Sequence, residues 1–222
     1  MFSRSLNKKE IKLLEMIEEF VRDKHAESEG HDYSHVLQVA KNAIKIAKKV
    51  PDQVDPFVLI CGALFHDLGR VDQLSGILHG LRGAALVEQF LKATEIDAET
   101  GKRIVRIVTR HTSTSHIPPE TMEEKIVYDA DTLDRFGWVG LLRGIIGKKG
   151  SLEDIIEKVI IRRSEDYNKL IFKESREIGR EAHEETLFFV QKLKRDIGNR
   201  LKGVKEIPFP RPNLTKVKVE DE

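Results

Sequence analysis

The sequence predicts an all-α fold, and two patterns support this prediction. Apolar residues recur at the spacing of one helix face along most of the chain, for example at Leu14, Ile17 and Val21. The stretch 57–68 is apolar on almost every side, which is typical of a helix buried at the centre of a bundle. Short clusters of Val and Ile lack the turn dipeptides that would flank hairpin strands. We therefore expect a helical bundle.

Caps and helix breakers predict where the first helices begin and end. Asn7 is the expected N-cap of the first helix, and a second helix is expected from Tyr33 to just before Pro51. The apolar helix 57–68 is followed by Gly69, which we interpret as its C-terminal stop. Later helices are expected over the ranges 81–94, 98–110, 120–134, 152–163 and 174–197.

The chain has the length and composition of one domain followed by a tail. It has 222 residues, of which 40% are hydrophobic and 34% charged, and this is sufficient for a sizeable core with a solvated exterior. We expect a single helical domain over residues 1–202. In the remaining segment, 203–222, the prolines at 208, 210 and 212 disfavour helix and predict an extended or partly disordered tail.

Charge and cysteine content exclude several classes of protein. The 38 basic and 37 acidic residues give a formal net charge of +1, and so no whole-chain charge favours nucleic acid or an anionic membrane as partner. The one cysteine, Cys61, excludes a disulfide within the chain and is expected to be a buried apolar residue. Residues 1–10 lack the apolar core of a signal peptide, and no apolar stretch is long enough to span a membrane. We expect a cytoplasmic protein.

Four ionisable residues lie next to apolar segments, where burial is expected. They are His35, His66, Asp67 and Asp131. Burying such groups is costly unless they are paired or bound to a metal ion. The adjacent pair His66 and Asp67 therefore forms either a structural hydrogen bond or part of a metal site. Neighbouring helical residues point about 100° apart, and so both reach one site only if it lies at the helix end.

The order and surroundings of these residues resemble the H…HD…D signature of the HD-domain superfamily of metal-dependent phosphohydrolases. The matching segments are 30–39, 63–69 and 125–134, and the resemblance extends over about residues 10–145. It implies an HD-type helical bundle. It also implies a set of metal ligands, which are His35, His66, Asp67 and Asp131.

Two imidazoles and two carboxylates form a mixed nitrogen and oxygen ligand set. Such a set suits one divalent ion of Mn, Fe, Co, Ni or Zn better than calcium, and Mg is compatible if water fills its remaining positions. An ion of this kind would activate a water molecule and neutralise charge on a phosphoryl oxygen. Phosphate-ester or phosphoanhydride hydrolysis requires both effects.

His31, Asp67 and Asp134 are the predicted catalytic residues. His31 lies one turn before His35 or in the preceding loop, and it either contacts a phosphate or metal ligand or is an ordinary turn residue. Asp134 lies one turn beyond the last predicted ligand. It either orients the water or accepts its proton, or it forms a salt bridge or cap.

His79, His111 and Arg70 are the predicted substrate-binding residues. Dinuclear members of the resembled superfamily carry further histidines, including an adjacent His-His pair, whereas Thr112 follows His111 here. This departure favours one metal ion, with His79 and His111 facing the substrate. An incomplete second metal site is the alternative. Arg70 either binds a phosphate through its guanidinium group or is a solvated surface residue.

Three other ionisable residues are expected to lie outside the site. His25 and His183 are interpreted as ordinary surface residues, and Asp129 is expected to point outward from its helix.

The ligand set and the resemblance together predict a metal-dependent phosphohydrolase acting on a small phosphorylated substrate of the nucleotide type. A di-iron oxygenase is one alternative, against which the missing His-His pair counts. A regulatory module without catalysis is another, against which the full ligand set counts. The sequence also allows a homo-oligomer.

Overall fold

The structure of the chain is a computed structural model that describes residues 1–26, 31–70, 78–146 and 148–205. Within these ranges the regular secondary structure is helical, and an isolated parallel bridge joins Phe2 to Val54. The predicted all-α class is confirmed. Among these residues, no helix combines the length and hydropathy needed to cross a bilayer.

The helices follow one another with short connections. The α-helices are α1 (Lys8–Lys24), α2 (Tyr33–Lys49), α3 (Pro56–Phe65), α4 (His79–Leu91), α5 (Ala98–Arg110), α6 (Met122–Leu133), α7 (Gly137–Ile145), α8 (Leu152–Ile155), α9 (Arg162–Glu165) and α10 (Lys173–Lys205). A π-helix, Ile156–Ile161, joins α8 to α9, and single 3₁₀ turns form at Leu68–Arg70, Ser113–Ser115 and Asp166–Lys169. Because α10 ends at Lys205, it includes the first residues of the predicted tail, and the tail from 206 onward lies outside the described residues.

The first two helices begin where the sequence predicts, because side chains satisfy their first amide groups. Asn7 caps α1 and forms a reciprocal capping box with Glu10. Asp32 caps α2, and its carboxylate accepts a hydrogen bond of 3.0 Å from the backbone amide of His35. His31 therefore lies in the loop before α2 and not on the helix itself.

The central helix α3 is shorter than predicted, and this difference shapes the site. It starts with Pro56 after the capping carboxylate of Asp55, and it ends at Phe65 instead of residue 68. His66 and Asp67 thus lie in the turn that follows α3, where both side chains reach one site. Most of α3 is buried, Cys61 included, as predicted.

Gly69 has a different role from the C-terminal stop that the sequence suggests. Its φ is not positive, unlike those of Gly137 and Gly150. A Cβ atom at Gly69 would instead overlap the backbone carbonyl of His79 and lie 2.6 Å from the amide nitrogen of Gly83. Glycine is required here because the turn after α3 packs directly on the backbone of α4.

Two apolar clusters hold the helices together. The larger one surrounds α3 and takes in residues of α1, α2, α4, α5 and α6. A smaller one joins α7, the π-helix and α10 through four buried side chains, which are Leu141, Ile156, Ile160 and Val190. This second cluster fixes the C-terminal helices whose charged residues line the cavity described below.

Two of the residues expected at the surface are buried. His25 is 1% exposed and its Nδ1 lies 2.7 Å from the backbone carbonyl of His31. Asp129 is fully buried, and its carboxylate accepts hydrogen bonds from the amides of Ile171 and Phe172 just before α10. Both predictions were wrong because each residue satisfies backbone groups of a loop that the local pattern does not reveal. His183 is half-buried.

Candidate metal centre

Two buried imidazoles face each other next to the end of α3. Nδ1 of His35 lies 2.7 Å from the Asp134 carboxylate, and Nδ1 of His66 lies 2.8 Å from the carbonyl of Ala63. With each Nδ1–H donating to its oxygen, each ring directs Nε2 at the other, and the two Nε2 atoms are 3.2 Å apart. Two such nitrogens repel each other unless a proton or a metal ion lies between them. The pair is built to hold a cation.

Two carboxylates complete the set around these imidazoles. Nε2 of His35 lies 3.4 Å from Oδ1 of Asp131 and 3.5 Å from Oδ2 of Asp67. Nε2 of His66 lies 4.0 Å and 3.6 Å from the same two oxygens. Bonds of about 2.0–2.2 Å to a shared ion place ligand atoms on the order of 3–4 Å apart. His35, His66 and Asp131 offer ligand atoms close enough together for one divalent ion, and Asp67 lies against both imidazoles. The structure brings together the four residues that the sequence predicts as metal ligands.

The charges around His35 favour a cation at its Nε2. Burial would lower the pKa of His35, but hydrogen bonds to Asp131 and two further carboxylates raise it well above its usual value. Burial would raise the pKa of Asp67, but the Arg70 guanidinium and the neighbouring imidazoles hold it well below its usual range. Asp67 and Asp131, whose pKa is also held well below its usual range by Arg135 and the imidazoles, are therefore ionised. Their excess negative charge attracts a proton to His35 or, in its place, a metal ion.

Basic side chains hold the two carboxylates in position. Arg135 lies one turn after Asp131, and its Nη2 is 2.6 Å from Oδ2, which leaves Oδ1 directed at the imidazoles. Arg70 places Nε 2.9 Å from Oδ1 of Asp67. The spacing between Asp131 and Arg135 is a signal that sequence reasoning overlooked. Such outer contacts fix the orientation of metal ligands.

The predicted catalytic residues His31 and Asp134 both lie against predicted ligands. Nδ1 of His31 is 2.5 Å from Oδ2 of Asp67, and burial lowers the pKa of His31 despite this carboxylate. Asp134, the C-cap of α6, contacts Nδ1 of His35 and so lies behind the imidazole. This contact orients His35. Asp134 also forms an ion pair of 3.5 Å with Arg143 and ends α6, and so the predicted alternatives to catalysis, a salt bridge and a helix cap, both describe its position.

A second group of ligand atoms surrounds the other oxygen of Asp67. Oδ1 of Asp67 lies 3.5 Å from Nε2 of His79 and 3.4 Å from Nε2 of His111. The two Nε2 atoms are 3.1 Å apart, and Nδ1 of His111 is 2.7 Å from the carbonyl of Val108. Both histidines are buried. This geometry favours the alternative reading, a second cation position that shares Asp67, over direct contact of His79 and His111 with substrate.

An open cavity of about 290 Å³ leads to the site and is strongly basic. His31, His35, Asp131 and Asp134 line it at the metal centre. Eight of the described residues that line it are Arg or Lys, and three are Asp. Arg70 and Arg135 lie near the ligands. The other six come after α6 in the chain and are Arg143, Lys148, Lys158, Arg162, Arg163 and Lys169. Only Arg70 among these is predicted from the sequence, although residues 158 and 162 have a helix-face spacing.

Comparison with known proteins identifies the family. The family model of the HD domain matches residues 32–135. The protein YpgQ of Bacillus subtilis is 30% identical over 204 residues, which span 85% of this chain and 96% of YpgQ. This chain belongs to the HD-domain superfamily. The matched segment contains the four predicted ligands and ends at Arg135, and so the six later cations of the cavity lie outside it.

Solved structures agree with this family. The crystal structure of B. subtilis YpgQ in complex with ADP has a TM-score of 0.66 at 26% identity and covers 85% of this chain and 96% of its own. An HD-superfamily hydrolase from Bacillus thuringiensis has a TM-score of 0.63 at 17% identity. The match covers 85% of this chain and 98% of the hydrolase. The latter shares the fold. The predicted HD-type helical bundle is confirmed.

We expect metal-free protein to lose stability as the pH falls from 6.5 to 5, and His66 should account for part of this loss. Burial lowers the pKa of His66 to about 3, whereas in the unfolded chain it is about 6.5. Between these values the unfolded chain binds the proton and the folded chain does not, and so acidification favours unfolding by at most about 1.4 kcal/mol per pH unit. The pKa of His35 is raised in the folded state, and so its contribution to stability increases slightly over the same range, but this contribution is common to the two proteins compared below.

Guanidinium chloride unfolding of metal-free protein at pH 6.5 and pH 5 measures this effect. We expect the wild-type chain to lose about 1.5 kcal/mol more than His66→Gln, which carries no titrating group at this position. An equal loss in both proteins would show that His66 is not held neutral by burial.

Proposed function

We propose that the protein is a divalent-metal-dependent phosphohydrolase whose substrate is a nucleotide or a related phosphoester or phosphoanhydride. The observation that supports this most is a cluster of metal-ligand atoms at one side of a cavity rich in Arg and Lys. An ion bound by His35, His66, Asp67 and Asp131 would activate water and neutralise phosphoryl charge. The cations would bind the remaining phosphate oxygens.

His31 is the residue of this chain best placed to move a proton. Its Nδ1–H donates to Asp67, and its ring lines the cavity with 34% of the side chain exposed. Burial keeps its pKa low, and so the ring is neutral near pH 7. The other ring nitrogen, Nε2, therefore has a free lone pair with which it can accept a proton. Asp67 fixes the tautomer, in the way that a carboxylate orients a catalytic histidine.

The proposed nucleotide substrate has support from a relative. A crystal structure of B. subtilis YpgQ, at 26% identity, contains ADP. In this chain the cavity offers Arg and Lys side chains for the phosphates next to the ligand cluster. A phosphorylated nucleoside therefore fits both the charge of the cavity and the ligand bound by the relative.

A screen of phosphorylated substrates against divalent ions tests the proposal. Purified protein, stripped of metal with EDTA, receives Mn, Mg, Co, Ni, Fe or Zn and then a nucleoside mono-, di- or triphosphate or a simple phosphoester. We expect release of phosphate or pyrophosphate that requires an added ion and stops when chelator is restored. Release that persists in excess chelator, or none with any ion, would overturn the proposal, and the second result would favour a regulatory module.

The second ligand group gives specific support to one other function, a di-iron oxygenase. Asp67, His79 and His111 could hold a second ion beside the first. We prefer the phosphohydrolase because the basic cavity suits phosphate chemistry, and we propose that the one catalytic ion is the ion at His35, His66, Asp67 and Asp131. Metal analysis of protein purified without chelator distinguishes the two functions. Two tightly bound irons per chain, with an absorption band that responds to oxygen, would favour the oxygenase.

A further inference from the structure

Arg163 occupies a site shaped for its guanidinium group in the wall of the cavity. The residue lies on α9, and its Nη1 donates a hydrogen bond to the backbone carbonyl of Gly140. Its side chain packs against Gly144 on α7, where a Cβ atom would lie 2.5 Å from Nε and 2.7 Å from Cζ. Any residue other than glycine at 144 would displace the group. Two positions of α7 thus accommodate the Arg163 side chain, a carbonyl that accepts its hydrogen bond and a glycine that leaves it room.

The charge of Arg163 has no partner carboxylate. In the described part of the chain, its hydrogen bond goes to a neutral carbonyl, and no carboxylate lies within 4.0 Å of its guanidinium. The neighbouring Arg135, by contrast, is neutralised by Asp131 at 2.6 Å and Asp166 at 3.3 Å. Burial, followed by the charge of Arg135, lowers the pKa of Arg163 to about 10. Holding this charge is unfavourable without an anion, and a bound anion would offset it.

Further unpaired cations extend the same wall. Lys148 and Arg162 line the cavity and are exposed, and neither forms an ion pair with any described residue. Lys158, also in the wall, is paired with Asp154 at 2.6 Å. Arg163 forms no hydrogen bond with any of the four predicted metal ligands. The cavity therefore offers anion-binding groups that are separate from the metal centre.

We propose that Arg163 is a specificity-determining residue that binds a phosphate group of the substrate other than the one next to the metal ligands. The inference rests on the proposed function and narrows its substrate class to compounds with two or more linked phosphates, which are bound in preference to monophosphates. A guanidinium group suits this role because its planar set of N–H donors binds two phosphate oxygens at once. Lys148 and Arg162 add charge at the same wall.

Binding of inorganic phosphates tests the inference without requiring turnover. Isothermal titration calorimetry of the full chain, with Mg²⁺ in excess over all phosphate groups, gives its affinities for tripolyphosphate and for orthophosphate. We expect the wild-type chain to prefer tripolyphosphate by at least about tenfold. Arg163→Gln should reduce this preference about tenfold and leave the affinity for orthophosphate unchanged, a loss of about 1.4 kcal/mol that is confined to the longer anion.

Two further variants separate a binding role from a structural one. Gly144→Ala retains the charge but displaces the guanidinium, and it should also weaken tripolyphosphate binding. Its melting temperature should stay the same or rise, because alanine favours helix over glycine. Arg163→Lys retains the charge without the planar group and should fall between wild type and Arg163→Gln. Arg180→Gln, which removes an exposed positive charge on α10, is the matched control and should bind as wild type does.

The outcomes distinguish this inference from the proposed function. An unchanged preference in Arg163→Gln, or an equal loss of affinity for both anions, would overturn the role of Arg163. Nucleoside triphosphate hydrolysis by the wild-type chain, measured in parallel, could still support the proposed function in that case. Conversely, if the preference behaves as expected but no ion supports hydrolysis, the proposed function fails and the anion site stands.

Discussion

Replacing Asp67 with asparagine should lower the phosphohydrolase activity by a factor on the order of 10³ or more. One of its oxygens lies within 3.6 Å of ring nitrogens of His31, His35 and His66. The substitution keeps the shape of the side chain but removes the charge that attracts a divalent ion. It also leaves the tautomer of His31 unfixed. Weaker binding of the metal ion and impaired proton transfer by His31 therefore both lower the activity of this variant.

The measurement is steady-state hydrolysis of the best substrate at saturating metal, together with direct determination of metal content. Glu99→Gln is the matched control, because it makes the same acid-to-amide change at an exposed position in the first turn of α5. We expect this control to retain full activity and metal. If Asp67→Asn keeps more than a tenth of wild-type activity, Asp67 does not belong to the catalytic site.

The sequence predicts the metal centre well because its residues belong to short segments with recognisable surroundings. His66 and Asp67 follow the most apolar helix of the chain, and the turn after that helix places both at one site. His35 is the third residue of a helix that Asp32 caps. In each case local capping and apolar pattern decide where the side chain points, and these are readable from sequence.

The remainder of the site depends on contacts between distant segments, which no local pattern contains. Asp129 has the spacing of an outward residue, yet the loop before α10 packs over it and directs two amide groups at its carboxylate. Arg163 resembles any surface arginine until α7 presents Gly140 and Gly144 to it. Similarly, nothing near Asp134 indicates that His35, on another helix, is its partner. The partners of these three side chains are set by packing between segments that are distant in the sequence.

Gly69→Ala should destabilise the protein by about 3 kcal/mol or more, the largest stability effect that we expect from adding one methyl group. The added Cβ would overlap the carbonyl of His79 and approach the amide of Gly83, and both are backbone atoms that no side-chain rotation can move. Relief requires α4 to move away from the turn after α3. Because α4 begins at His79, this movement also separates His79 from Asp67.

Gly101→Ala provides the matched control for this substitution. Gly101 lies inside α5, and the nearest atom to a Cβ there is Cδ1 of Leu91 at 3.7 Å, an ordinary contact. Alanine should therefore stabilise the protein by about 0.5–1 kcal/mol at this position through its higher helix propensity. Guanidinium chloride unfolding of both variants should give free energy changes of opposite sign. If Gly69→Ala is as stable as wild type, the turn after α3 does not rest on the backbone of α4.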